Sequence, residues 1–308
     1  MTLRRAALVA ALATLGAAAP AHAFVRYKTS MGKDFAWKQS CIPLTYYPSS
    51  MIDAAGAMDM TPEQIDKAVQ ASAAAWSSGA NDCSFLVINA ESSVKAAPSA
   101  VYDKRNSLIF QTRNWCGPKT KTGACSYDSL ALAITSVFVV QSDGTIRDAD
   151  IEINGANFIW ADLDSEPANS GKQDLQNALT HEMGHMIGLD HTCYMPGDTA
   201  PRAVDQNGNP VPDCPTAPAA VRATTMFASA DPGDIQKRTL EADDKAAICA
   251  IYPVASDPMT CPTALEPGGS GGCGCAVGGG SGGAGIALAA VAGLVARARR
   301  RRKAVGQA

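Results

Sequence analysis

The middle of this 308-residue chain, residues 40–255, predicts an α/β fold. Two patterns carry that expectation: short β-rich runs recur along the chain, and three helical stretches interrupt them, an order that packs helices against a sheet. Composition agrees, with 46% hydrophobic residues against 18% charged ones. That is enough apolar material for one large domain or two small ones. A wholly disordered chain, a collagen and a polytopic membrane protein are all excluded by the same figures. No internal repeat is visible.

The elements follow in order. Residues 42–47 (IPLTYY) read as a strand. Thr61-Pro62-Glu63-Gln64 then opens a helix, with Thr61 as N-cap, proline at the first position and acid in the first turn. Ile65, Ala68, Val69, Ala73 and Trp76 keep helical spacing along one face, with small Ser72 among them. Residues 84–89 and 108–111 are β-rich runs. Residues 134–141, the turn Ser142-Asp143-Gly144 and residues 146–153 read as a hairpin. In its second strand Ala149, Ile151 and Ile153 alternate with Asp148, Asp150 and Glu152, which predicts one wet face. A second helix spans 174–189. A loop rich in Pro, Asp and Asn spans 198–220, and a third helix spans 240–251.

Both ends read as targeting segments. Residues 1–23 have the form of a signal peptide: Arg4 and Arg5, an apolar run from 6 to 19, and the small-x-small sequence Ala21-His22-Ala23. The mature chain is expected to begin near Phe24, with residues 24–39 as an N-terminal extension. Residues 256–285 form a linker that becomes Gly/Ser-rich and holds Cys273 and Cys275. Residues 286–303 combine an apolar segment with an Arg cluster. From Ala276 onward 21 residues carry no charge, about the length that crosses a bilayer. The basic flank would stay cytoplasmic and leave the folded part outside. This Gly-Cys, apolar, Arg-rich order resembles the C-terminal sorting tail of myxobacterial exported proteins. The resemblance implies placement at the cell surface or outer envelope and membrane contact through the tail.

Charge is unevenly spread. Of 26 basic residues, two lie in the first 23 positions and six in the last twelve. Residues 24–296 thus keep 18 against all 29 acidic ones, a net charge of −11. So acidic a body argues against nucleic acid as a partner. Eight cysteines lie outside the tail: Cys41, Cys83, Cys116, Cys125, Cys193, Cys214, Cys249 and Cys261. An even number in an exported chain suggests disulfides. Pairing sequence neighbours, 41–83, 116–125, 193–214 and 249–261, is the simplest of many connectivities. Cys193–Cys214 is the pair with an argument behind it, since it would close the Pro-rich loop.

The chemistry lies in His181-Glu182-Met183-Gly184-His185-Met186-Ile187-Gly188-Leu189-Asp190-His191. His181 and His185, four apart, leave one helix face a turn apart. Gly188 can take a positive φ, ending the helix and turning the chain back so that His191 supplies a third nitrogen. Three neutral imidazoles with an open position are the ligand set of a catalytic zinc. Glu182, too far round the helix to bind the same ion, is placed to take a proton from water. An alternative is a non-enzymatic surface binding or adhesion protein with a structural metal; the intact Glu182 argues against it. Asp205-Gln206-Asn207-Gly208-Asn209 has closely spaced oxygen ligands that suit Ca²⁺, or forms a plain turn.

The run HExxHxxGxxH resembles the metzincin zinc endopeptidases, and Leu189-Asp190-His191-Thr192 resembles their matrixin branch. Thr224-Thr225-Met226-Phe227-Ala228 is similar to the methionine turn of that family, and residues 240–252 to its last helix. The resemblance covers about residues 35–255. It implies a twisted mixed sheet, mostly parallel, packed with helices, with a zinc cleft between an N-terminal subdomain and a small C-terminal one. It further implies hydrolysis of protein or peptide substrates, with Glu182 as general base and Met226 as support beneath the zinc. The substrate-binding edge strand is matched to residues 148–154, with Asp150, Ile151, Glu152, Ile153 and Asn154 as its contacts. The chain departs from the family in having Ala228 where some branches carry tyrosine and in lacking histidines for a second zinc. No cysteine-switch propeptide precedes the domain, so its means of latency is left open.

Overall fold

A computed structural model describes residues 24–52, 56–77, 82–93, 100–119, 122–164, 170–198, 201–261, 286–292 and 294–296. The expected signal peptide, the Gly/Ser-rich stretch with Cys273 and Cys275, and the Arg cluster lie outside the described residues.

The strands that position the site are β1 (Val25–Arg26), β2 (Cys41–Tyr46), β3 (Val87–Ser92), β4 (Ser107–Gln111), β5 (Ala133–Val140), β6 (Ile146–Asn154), β7 (Leu189–Asp190), β8 (Ser229–Ala230), β9 (Ile286–Ala292) and β10 (Val295–Ala296). The main helices are α1 (Pro62–Ser77), α2 (Leu175–Met186) and α3 (Ala242–Ile251). Six strands form one mixed sheet in the order β9-β5-β6-β4-β2-β3. Pairing is parallel from β6 to β3 and antiparallel for β6–β5 and β5–β9. The predicted α/β class is thus what the chain builds: a mixed sheet packed with helices.

Local signals account for the helices. Gln64 N–H donates to Thr61 Oγ1 at 3.3 Å while Thr61 N–H donates to Gln64 Oε1 at 2.8 Å, a reciprocal cap at the start of α1. Its predicted face is buried throughout, and Trp76 donates its indole N–H to Thr180 O of α2 at 2.7 Å. Asp174 caps α2 by accepting from Asn177 N–H at 2.7 Å. Arg238 holds the same carboxylate in place. The hairpin β5–β6 turns at Gly144, φ +76°, where a Cβ would strike Asp34 O at 2.0 Å.

Several expectations are revised. Asp148, Asp150 and Glu152 are not on a wet face; all three are buried. Residues 101–111 and Tyr127 supply donors to them. Asp148 accepts from Asp103 and Lys104 N–H, Asp150 from Val101 and Ser107 N–H, and Glu152 from the Tyr127 hydroxyl and Gln111. Alternation therefore marks a polar interior rather than solvent. The strand predicted at 84–89 begins at Val87 and runs to Ser92. Residues 24–37 are an integral part of the domain: β1 pairs with β7, Phe35 is fully buried, and the Trp37 indole donates to Met186 O at 2.9 Å.

Four disulfides form: Cys41–Cys261, Cys83–Cys249, Cys116–Cys125 and Cys193–Cys214. The two short pairings are those of sequence neighbours; 41–83 and 249–261 are not made. The parallel register of β2 on β3 sets Cys41 beside Val87 rather than Cys83. The end of α3 returns to Cys83 through Phe85 N–H to Tyr252 O, and the chain beyond it reaches the start of β2 through Ser40 N–H to Thr260 O. The apolar tail differs too. Residues 286–292 form strand β9 of the main sheet, and among the described residues no helix is long and apolar enough to cross a membrane.

Candidate metal centre

The centre grows from the end of α2. His181 and His185 lie one turn apart on the helix, both fully buried. The helix ends at Met186, and the chain turns at Gly188, φ +100°, where a Cβ would meet Phe35 O at 2.7 Å. Only glycine fits both the turn and the close approach. The chain reverses into β7, and His191 comes back against the helix. His191 Nε2 lies 3.2 Å from His181 Nε2 and 3.1 Å from His185 Nε2.

Carbonyls set the tautomers. His181 Nδ1 donates to Thr225 O at 2.6 Å and His185 Nδ1 to Leu189 O at 2.9 Å. A carbonyl only accepts, so Nδ1 carries the proton in both rings and each Nε2 turns a lone pair inward. Burial, chiefly, pushes the His181 imidazole well below its usual range and His185 down to about 4, so both are neutral. Convergent lone pairs at this spacing repel one another unless a cation sits between them. Together with the outer Nδ1 bonds they fit the donor set of a metal ion. These three residues are the only such group among the described residues.

Glu182 is fully buried on the strand side of α2. Its Oε2 accepts the Thr135 hydroxyl of β5 at 2.6 Å, and its Oε1 accepts Leu294 N–H at 2.9 Å. Burial pushes the carboxyl up to about 8 despite both bonds. It stands outside the imidazole triad, as the helix geometry predicts.

Met226 lies beneath the centre, 2% exposed. A Cβ on Gly184 would come within 2.2 Å of its sulfur, so the glycine between the two helical histidines is what admits the methionine. The turn around it is held at three points. Thr192 N–H donates to Met226 O at 3.1 Å, Thr225 N–H donates to Asp244 at 2.9 Å, and the Lys237 ammonium donates to Phe227 O at 2.6 Å. Burial lowers Lys237 to about 7, with Asp244 and Asp234 opposing the shift. Cys193–Cys214 closes the loop that leaves His191, and Tyr194 and Asp213 pair beside it.

The other candidates are not gathered here. Asp150, Ile151, Glu152, Ile153 and Asn154 lie on β6, which is paired on both sides, with β4 and with β5. The strand outside it, β5, is the one that borders the centre. Asp205 spends its carboxylate on its own turn, accepting from Asn207 and Asn209 N–H at 2.8 Å each. Conversely, Thr135, Lys237 and Tyr27 were missed. The Tyr27 hydroxyl lies 3.2 Å from His185 Nδ1, and burial raises its pKa well above the usual tyrosine value. None has a signal in the sequence: Thr135 looks like any β-branched strand residue, Lys237 like a surface lysine, and Tyr27 stands 158 positions from its partner.

No protein-family model matches the chain, and no curated protein matches it in sequence.

Proposed function

We propose that the protein is an exported zinc-dependent endopeptidase. The observation that carries this reading is Glu182: a buried carboxylate next to three convergent imidazoles but outside their ligand set, facing strand β5. A structural metal has no use for such a group. The HExxHxxGxxH run and the methionine packed on Gly184 support the likeness to metzincins, and four disulfides are consistent with export to an oxidising compartment.

In this reading His181, His185 and His191 hold the zinc, whose role is Lewis acidity toward a scissile carbonyl and the attacking water. Glu182 takes the water's proton and delivers it to the leaving amine nitrogen. Thr135 aims the carboxylate, and Met226 supports the histidine platform. An extended substrate pairs main chain to main chain with β5 rather than β6.

The test uses residues 24–265, which retain all eight bridged cysteines. The protein should carry about one zinc per chain and cleave an unfolded protein. Glu182→Ala should keep the metal and lose cleavage. A zinc-loaded parent without any cleavage would point to the binding-protein alternative. Undiminished cleavage by the variant would remove Glu182 from the mechanism.

A further inference from the structure

The edge of β5 beside the three histidines is covered by the chain's own tail. β9 pairs antiparallel with β5, the strand that borders the centre, with Val291 opposite Ser136 and Ala292 opposite Thr135. The path continues on main-chain bonds. Leu132 N–H donates to Leu294 O at 2.6 Å, and Val295 N–H donates to Ala228 O at 3.0 Å. β10 then pairs in parallel with β8, just past Met226. The tail is thus held by strands on both of its edges, by backbone groups that read no side chains. Midway, Leu294 is fully buried and its N–H meets Glu182 Oε1. That bond puts a peptide nitrogen at the atom which, in the proposed mechanism, protonates a leaving amine.

We infer that residues 286–292 and 294–296 occupy the substrate's place along β5 and hold the enzyme latent until they are displaced or removed. The latency rests on the endopeptidase reading; the seat of the tail does not. A polypeptide substrate needs the same β5 edge and the same Glu182 oxygen, so tail and substrate exclude each other. The tail has one advantage, since its tether makes binding a unimolecular event. No propeptide is then required for latency. The apolar segment also acquires a role besides membrane contact: one stretch covers the β5 edge when folded back, and is free to meet a bilayer only when it has left that edge.

The test is made in the full chain without added metal. Ser136→Cys with Val291→Cys places two cysteines directly opposite across β5 and β9. Ser136→Cys with Ile286→Cys is the out-of-register control, because Ile286 lies opposite Val140. Under mild oxidation the first pair should form an intrachain bridge at least tenfold faster than the second, as read by peptide mapping. In parallel, metal-loaded Leu294→Asp, which puts a charge where a buried leucine sits, should cleave a reporter peptide at least tenfold faster than the parent chain. Equal bridging by the two pairs, or bridging only between chains, would overturn the inference. Register-specific bridging with equal cleavage by parent and Leu294→Asp would overturn latency. Register-specific bridging with no cleavage by any chain, including residues 24–265, would uphold the tail's seat and overturn the endopeptidase reading instead.

Discussion

Gly184→Ala should damage both stability and metal binding, although alanine is the better helix former. The added methyl would lie 2.2 Å from Met226 Sδ and 2.9 Å from Trp76 Cζ2. Trp76 cannot retreat, being fully buried and bonded through its indole to Thr180 O. Met226 must therefore move, and its side chain has almost no open space around it. Overpacking of this kind costs about 1–3 kcal/mol. The gain in helix propensity returns up to about 1 kcal/mol. A net loss of about 1–2 kcal/mol is expected, measured by urea unfolding with tryptophan fluorescence. The metal should feel the same displacement, because the residue before Met226 supplies the carbonyl that orients His181. Disturbing such an outer partner weakens metal binding about 10-fold or more, measurable by competition with a chromophoric chelator. Met226→Ala removes the obstacle while itself costing about 2–5 kcal/mol for the cavity it leaves. The double variant should be less destabilised than the sum of the singles by at least about 1 kcal/mol. An unchanged or raised stability in Gly184→Ala, together with an additive cycle, would refute the packing of Met226 into the glycine notch.

Three further outcomes are expected. Cys193→Ser opens the loop after His191, costs about 3 kcal/mol in the chain-entropy model, and should weaken metal retention more than Cys116→Ser, whose bridge lies elsewhere; equal retention in the two variants would contradict this. Thr135→Val keeps the shape but removes a donor from Glu182, so cleavage should fall about tenfold, the equivalent of about 1.4 kcal/mol, with metal content unchanged. Asp150, raised to about 8 by burial and then by Asp148, keeps in the native state a proton that the unfolded chain releases near its usual 3.8. Asp150's own contribution to stability should therefore fall as pH rises from about 4 to about 8, by at most about 1.4 kcal/mol per pH unit. Urea unfolding of parent and Asp150→Asn at pH 5 and pH 8 isolates it: the stability advantage of the parent over the variant should be smaller at pH 8 than at pH 5.

The sequence alone determined what is local. The Thr61 cap and apolar face of α1, the β5–β6 hairpin and its Gly144 turn, and the i, i+4 histidines with their closing Gly188 are all set within about one to three turns of chain. So the three histidines that could hold a metal were legible, and Glu182 beside them. The bridge Cys193–Cys214 was legible for the same reason, since its ends are close in sequence. Everything that depended on which distant segments meet was left to the tertiary structure. Cys41 and Cys83 choose Cys261 and Cys249 because parallel strand register and the return of α3 bring them together, and no spacing rule encodes that. Asp148, Asp150 and Glu152 alternate as a wet face would, yet donors from residues 101–111 and Tyr127 turn the same pattern into a hydrogen-bonded interior. Period-two alternation reports two unlike faces, not which of them meets water. The edge of the sheet was likewise invisible, because edge and centre differ in their neighbours and not in their own residues. β6 lies inside, β5 borders the centre, and the strand that covers β5 comes from a tail whose apolar composition alone suits a bilayer as well as a sheet edge.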